Sequence, residues 1–434
     1  RLGDFYEMYF DDAILASKEL EITLTGKDCG MEERAPMCGI PFHAADTYIN
    51  QLVKKGYKVA IGEQVEDPKL AKGLVKREVI RIVTPGTNLS SESLEESKNN
   101  YLMCISYIGK NYGISVTDLS TGVFKTCQIQ QAEKVVDEIN KFQPSEVLYQ
   151  AGVDQVEEIH AVCERLQVSH TEAPDYYFNS ETDEETLKRQ FHINSIEGLG
   201  LKDSPACVAS CGALMQYLHE TQMSSLSHIN HIETYSVDSF MILDSATRRN
   251  LELTETLRDK QKRGSLLWVL DKTKTAMGAR KLREFVEQPL LYKDAIEKRL
   301  DAIEAINKEL IVREELREYL NTIYDLERLL TRIALKTANP RDLLAFKTSI
   351  QYLPDIYNLL RELPCERINE IYEDYDSLED LYDLLEQAIV EEPPVSIKEG
   401  GIFKQGYRDE IDELRLAKTE CKTWLADLEA KERE

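Results

Sequence analysis

Near residue 233 the hydrophobic pattern of this chain changes period, and that change demands more than one domain. Before it, short runs with the two-residue period of strands alternate with helical runs. After it, apolar residues follow the i, i+3, i+4, i+7 rule of helices, as at Leu378, Leu381, Tyr382 and Leu385. A chain of 434 residues also exceeds one ordinary core. The expected class is multidomain: an α/β domain over residues 1–97, a second over 98–232, an all-α region over 233–405, and the start of a further helix over 406–434.

Finer readings follow from local pattern. In the first domain, residues 3–10 read as a strand. Residues 11–22 read as a helix running into a strand, with Ile14, Leu15, Leu20 and Ile22 as its apolar positions. Residues 44–56 read as a helix stopped by Gly56. KVAIGEQ and REVIRIV read as strands. Residues 84–100 are rich in turn-forming and polar types and read as a linker. The second domain opens with three strand patterns, residues 101–108, 112–120 and 122–129. A helix over 131–142 and a strand over 146–149 follow. Residues 171–203 carry few packing signals and are expected to hold loops. A new charged helix is expected to start at Gly400.

Three negative readings narrow the chemistry. The most apolar stretch, residues 204–218, is shorter than the roughly 20 residues of a membrane span, so it is a buried helix. Nine cysteines without a C-x-x-C pair, and seven histidines without H-x-x-x-H, read as free thiols in a reducing compartment and no metal. A phosphate-binding loop needs G-x-x-x-x-G-K-[ST]. The pairs Gly26–Lys27 and Gly109–Lys110 are followed by Asp28 and Asn111, so neither qualifies.

A net charge of −25 argues against a polyanion partner until its distribution is considered. Residues 54–81 hold eight basic against four acidic residues, a plausible phosphate-facing edge. Residues 361–392 hold two basic and twelve acidic residues and should face solvent. At the start of the chain, RLGDFYEMYF puts Phe5, Glu7 and Tyr9 on one strand face and Tyr6, Met8 and Phe10 on the other. The second face is apolar and reads as core. The first sets an aromatic plate beside an acid, suited to entering a base stack while touching a base edge. The plainer reading is a half-buried strand with one edge charge.

GDFYEMYFDDA, then APMCGIPFHAADTYINQLVKKGYKVAIGEQVEDP, then KREVIRIVTPGT closely resembles the mismatch-binding domain of the bacterial MutS family. RRNLELTETLRDKQKRGSLLWVLDKTKTAMGARKLREFVEQPL and YDLERLLTRIALKTANPRDL resemble that family's core. The resemblance implies recognition of mispaired or unpaired bases in duplex DNA, with Phe5 as the inserted wedge and Glu7 bonded to the same base. Burial and nearby phosphate should favour a protonated Glu7, able to donate. His43, Lys76 and Arg77 become candidates for backbone contact, with a satisfied structural histidine as the alternative reading of His43. The resemblance further implies a ribonuclease-H-like connector, core and lever helices, and a helix leading to a DNA clamp. It also implies a homodimer when full length, a MutL-type partner, and a bacterial cytoplasmic, nucleoid-associated location. ATP and Mg would belong to an ATPase domain beyond this chain, leaving it without a cofactor or hydrolytic activity of its own. The chain lacks an initiator Met and reads as a piece of a longer protein.

The rival is a metal-dependent nuclease of ribonuclease-H type, with Asp118 on a strand, Glu146 at a strand end and acids at 182–185. Two-metal catalysis would need these carboxylates to converge. A third reading, a purely structural helical scaffold, leaves the Phe-x-Glu strand unexplained.

Overall fold

The computed structural model describes residues 1–30, 33–66, 75–90 and 92–433. They form two compact units, one of residues 1–293 with 330–335 and one of residues 294–329 with 336–434.

The first unit begins with β1 (Phe5–Tyr9), α1 (Phe10–Glu19), β2 (Thr25–Lys27) and β3 (Ala35–Pro41). The strands make an antiparallel sheet ordered β1-β3-β2. Next come α2 (Ala45–Lys54), β4 (Val59–Gln64) and β5 (Arg77–Val83), the two strands pairing as a hairpin. Tyr6 and Met8 pack on a core of Cys38, Ile40, Ile49, Leu52, Val53 and Val83, as the alternation requires. Phe10 departs from that alternation: its φ of 53° turns the chain out of the strand and leaves the ring 52% exposed. The helix buries Ala13 and Ala16, with Leu20 buried just past its end, whereas Ile14 and Leu15 are exposed. Small residues win that face because α1 lies close on β3, with the Cys38 thiol reaching the Ala13 carbonyl.

The second domain holds β6 (Leu102–Ile108), β7 (Asn111–Asp118), β8 (Val123–Ile129), α3 (Ala132–Phe142), β9 (Glu146–Tyr149), α4 (Glu157–Leu166), β10 (Ser169–Glu172), α5 (Ser180–Phe191), α6 (Pro205–Gln222) and β11 (Glu233–Thr234). One sheet runs β10-β9-β6-β7-β8-β11. β6, β7 and β8 form an antiparallel meander; β9 and β10 extend it in parallel. Ile105, Ile114, Ile139 and Val162 fill one face under α3 and α4; Leu102, Phe124, Leu187 and Leu214 fill the other under α5 and α6. Because α6 is enclosed by sheet and α5, its residues 206–215 are buried on every side, as the apolar stretch 204–218 foretold. Cys207 and Cys211 are buried in it.

Two loop expectations are corrected. Residues 171–203 carry the end of β10, α5 and two 3-10 turns, and bury Tyr177, Leu187, Phe191 and Leu201. Their apolar residues are spaced too sparsely for periodicity to reveal them. Residues 84–100 are not a solvated linker: Thr84, Gly86 and Thr87 are buried, and Arg280 Nη1 donates to the Glu96 carbonyl at 3.0 Å. The buried Glu146 anchors that segment by accepting from Thr84 Oγ1 and, at 3.1 Å, from Gly86 N.

Helices α7 (Ser245–Asn250), α8 (Leu266–Leu270) and α9 (Ala276–Glu287) pack with these domains; Lys125 of β8 pairs with Glu284 of α9 at 2.8 Å. α10 (Lys293–Lys308), α11 (Leu310–Asn321), α12 (Leu326–Ala334), α13 (Pro340–Ile350), α14 (Leu353–Arg361), α15 (Glu366–Glu373), α16 (Glu379–Ala388) and α17 (Asp409–Arg433) complete the chain. In the second unit, Leu378, Tyr382 and Leu385 pack on Phe346 and Ile350, while Leu381 is 37% exposed. The helix expected from Gly400 starts nine residues later, at Asp409; positive φ at Gly400, Gly401 and Gly406 rules out an earlier start.

Asp183 of α5 gives a direct pH prediction. It is buried against Gly212 of α6, its Oδ2 has no hydrogen-bond partner, and burial raises its pKa to about 8. The unfolded chain ionises this group near pH 4. The folded state therefore keeps its full stability below that value and loses it as pH rises from about 4 to 8. Asp183→Asn should flatten this slope and raise the urea midpoint at pH 8 relative to pH 5. Parallel wild-type and variant profiles would contradict the assignment.

Candidate nucleic-acid interface

The strand β1 presents its two faces unequally. Behind it, the Tyr6 hydroxyl donates to Glu63 of β4; burial, with Glu63 beside it, pushes Tyr6 up to about 12. The phenol therefore stays neutral and the strand is pinned from behind. In front, Phe5 is 47% exposed, and Phe5 and Glu7 stand opposite Pro41 and Gly39 of β3. A Cβ at Gly39 would lie 3.7 Å from Phe5 Cδ1 and 3.8 Å from Glu7 Cγ. The missing side chain leaves the cross-strand space between the two free.

Glu7 is held by groups from two strands. Lys27 Nζ donates to Glu7 Oε2 at 2.6 Å and to the Tyr9 hydroxyl at 2.9 Å, and that hydroxyl donates to Glu7 Oε2. Burial would raise the Glu7 pKa, but the bonds from Lys27 and Tyr9 outweigh it, so the net shift is downward. The expected protonated Glu7 is thus corrected for the protein by itself, where the group is an anion with a lysine partner. Lys27 escaped sequence reasoning, which considered it only within a failed phosphate loop. Its position at the end of a three-residue strand gave no pairing signal.

The other candidates sit around this face. His43 is exposed in the turn after β3, its ring edge-on to Phe42 at 5.9 Å. That turn is tied to β1, since Phe42 N donates to the Asp4 carbonyl at 2.9 Å. Arg77 opens β5 opposite Gln64, next in sequence to the Glu63 that holds Tyr6. Lys76 and Arg77 are exposed, and Lys76 pairs with Glu78 at 2.5 Å. The basic edge of residues 54–81 is less open than its composition implied. Lys55 pairs with Glu19 at 2.8 Å and Lys58 with the buried Glu146 at 3.2 Å. Arg81 is partly buried, and Lys69 and Lys72 lie outside the described residues. Lys54, Lys76 and Arg77 remain as exposed cations of that edge.

The nuclease carboxylates do not form a cation site. Asp118 is fully buried and accepts from Ser120 N at 2.8 Å, Ser120 Oγ at 2.7 Å and Asn100 N at 3.1 Å. Glu146 is likewise buried and also accepts from Tyr217 at 2.6 Å. Of the acids at 182–185, Asp183 points into the core and Glu184 pairs with Lys188 along α5 at 2.5 Å. Both buried carboxylates serve as structural acceptors. No helix among the described residues is long and apolar enough to cross a membrane.

Three family models match the chain: MutS domain I over residues 1–92, MutS domain II over 100–230 and MutS domain III over 246–434. The whole chain is also similar to proteins named DNA mismatch repair protein MutS. Identity is 57% over 439 residues with that of Lachnoclostridium phytofermentans and 51% over 439 residues with that of Acetivibrio thermocellus. It is 49% over 440 residues with that of Ruminiclostridium cellulolyticum. These matches cover 100% of this chain and 47%, 50% and 50% of the relatives respectively, so the chain spans about half the length of the curated relatives it matches.

Proposed function

The chain belongs to the MutS family, and from that premise we propose that it recognises mismatched or unpaired bases in duplex DNA and so initiates mismatch repair. The observation that carries this reading is the half-exposed Phe5 ring on a strand pinned from behind, with Glu7 two residues on along the same face. A mispaired step opens at lower energy than a paired one, so a rigid aromatic wedge collects its stacking energy selectively there. Glu7 then bonds the edge of the stacked base, while Lys76, Arg77 and His43 supply sequence-independent contacts to phosphate. The second domain reads as a ribonuclease-H-like connector, a reading its sheet order supports. The helices after it read as core and lever. The partners proposed are a second copy in the full-length protein and a MutL-type protein, in a bacterial cytoplasm at the nucleoid.

Neither Gly-Lys pair of this chain offers a loop for the phosphates of ATP. Lys27 is committed to Glu7, and Gly109–Lys110 is the hairpin turn between β6 and β7. ATP hydrolysis is therefore assigned to the part of the relatives that this chain does not span. Fluorescence anisotropy of full-length protein on a G·T heteroduplex and its matched duplex tests the reading. Tighter binding to the heteroduplex is expected; equal affinity overturns it.

Lys27 tunes the reader. For Glu7 to donate to a base acceptor it must leave Lys27 and take up a proton. In Lys27→Ala burial acts without its counter-charge, so the Glu7 pKa rises. The pH above which heteroduplex affinity declines should move upward, whereas Glu7→Gln should abolish the dependence. Identical pH profiles for all three proteins would remove protonation from the mechanism.

Lys76→Ala or Arg77→Ala should weaken heteroduplex and matched duplex alike. Each loss of a phosphate contact should reduce the slope of log affinity against log salt by about 0.9. The pair with Glu78 is no obstacle, because an exposed pair of this kind contributes about 0–1 kcal/mol. A variant that changes only heteroduplex binding would place the residue at the mispair instead.

A further inference from the structure

The geometry points to a zinc-class divalent metal site on the second domain, formed by His160, Glu164 and His170. This cluster lies apart from β1 and takes no part in the proposed reading of DNA. Its spacing, H-x-x-x-E followed six residues later by H, is divided between a helix and a strand. His160 and Glu164 are one turn apart on α4 and share a face. Gln167 then adopts a left-handed conformation, φ 53°, which ends the helix and turns the chain into β10. The turn brings His170 back beside that face: the two imidazole rings lie 5.8 Å apart, edge to face. One ligand atom from each of the three residues lies within 4.8 Å of the other two.

The hydrogen bonds of His170 supply a second, independent observation. Its Nδ1 lies 3.1 Å from the Val168 carbonyl, which can only accept, so Nδ1 carries a proton. In the neutral ring Nε2 then has a free lone pair, and that atom sits 3.6 Å from Glu164 Oε1. With Nε2 unprotonated, two acceptors would face each other at a distance too long for a hydrogen bond, and a cation between them satisfies both. A backbone carbonyl on one ring nitrogen is the usual means of orienting the other toward a metal. The Tyr149 ring, 6.3 Å away, packs beside the imidazole.

Two imidazoles and one carboxylate select zinc or a neighbouring transition ion over magnesium or calcium, which prefer all-oxygen shells. Bonds of about 2.1 Å in a tetrahedral site put ligand atoms about 3.4 Å apart, so Glu164 and His170 are already near their places. His160 is exposed and free to swing inward, and water completes the shell. Because β10 is the edge strand of the six-stranded sheet, bound metal would fasten that edge to α4.

The test is calorimetric titration of the intact chain with zinc chloride under reducing conditions, together with its thermal unfolding. Saturable binding of one zinc and an upward shift of the unfolding temperature are expected. Loss of even an orienting group around a metal costs 10–100-fold in affinity, so His170→Ala and His160→Ala should each weaken binding at least about tenfold. Glu164→Gln should weaken it as well. His160 and Glu164 are exposed and His170 is half-buried, so circular dichroism of each variant checks that it folds. Cys29 and Cys421 are exposed thiols that could take zinc instead. Cobalt substitution separates the cases, since thiolate ligation adds a strong near-ultraviolet charge-transfer band. That band, binding unchanged in the histidine variants, or no binding at all would overturn the proposal. In the last case Glu164 and His170 form an ordinary ion pair.

Discussion

Phe5→Ala is expected to abolish preference for a mismatched duplex while leaving binding to matched DNA nearly unchanged. An aromatic side chain stacked on a base contributes about 1–3 kcal/mol, or roughly five- to more than a hundredfold in affinity. That energy is collected only where a step opens readily, so its loss falls on heteroduplex alone. The fold should survive the change. Phe5 is 47% exposed on the front of β1, while the contacts holding the strand come from Tyr6 and Met8 behind it. The Tyr6–Glu63 bond and the β1–β3 register do not involve the Phe5 ring. Anisotropy on paired G·T and matched duplexes, with circular dichroism as a folding check, decides the matter. A folded variant that still prefers the mismatch would end the wedge reading. An unfolded one would show that the ring serves the core of the first domain.

Gly113→Ala should be the most damaging single methyl in the second domain. A Cβ at Gly113 of β7 would lie 2.0 Å from the Ala206 carbonyl oxygen and 2.7 Å from Cys207 N, the backbone of the first turn of α6. No rotamer relieves a clash with backbone, so α6 must move away from the sheet. Two buried bonds hold it there: Ser106 Oγ donates to the Ala206 carbonyl at 2.7 Å, and Ser115 Oγ to the Ser210 carbonyl at 2.8 Å. Overpacking of this kind costs about 1–3 kcal/mol, and stretching a buried hydrogen bond adds about 1–3 kcal/mol. The sum is a large share of a domain's usual stability of about 5–15 kcal/mol. Gly109→Ala is the control. Gly109 has φ 59°, and a Cβ there would meet no atom within 4 Å, so the change should cost only the left-handed backbone penalty of about 1–2 kcal/mol. Urea denaturation of the two variants compares them directly. Equal midpoints would mean that the sheet and α6 have more slack than their separation allows.

What the sequence determined by itself was whatever depends on near neighbours. The alternation over residues 5–9 settles which side chains share a face, and Tyr6 and Met8 lie in the core while Phe5 stands out. The apolar stretch at 204–218, too short for a membrane span and interrupted by Ser, Gly and Gln, read as a buried helix, and α6 is enclosed there. The break in period near residue 233 separated the strand-bearing part of the chain from the helical part. These features persist because side-chain direction along a strand or helix is set by local backbone geometry.

Tertiary structure decided every question of pairing. Glu7 was legible as an acid beside an aromatic, yet its charge state depends on Lys27, twenty positions away on another strand. Asp118 and Glu146 lay on a strand and at a strand end, as catalytic carboxylates can, but hydrogen bonds from Ser120, Asn100, Thr84 and Tyr217 make them structural acceptors. Part of the basic edge proved to be occupied by partners such as Glu19 and Glu146. Ile14 and Leu15 lost the buried face of α1 to two alanines because a closely approaching β3 leaves no room for larger groups. His160 and His170 meet only because a left-handed residue folds a strand back along a helix. In each case the energy depends on the distance between groups remote in sequence, and that distance is a property of the packed chain alone.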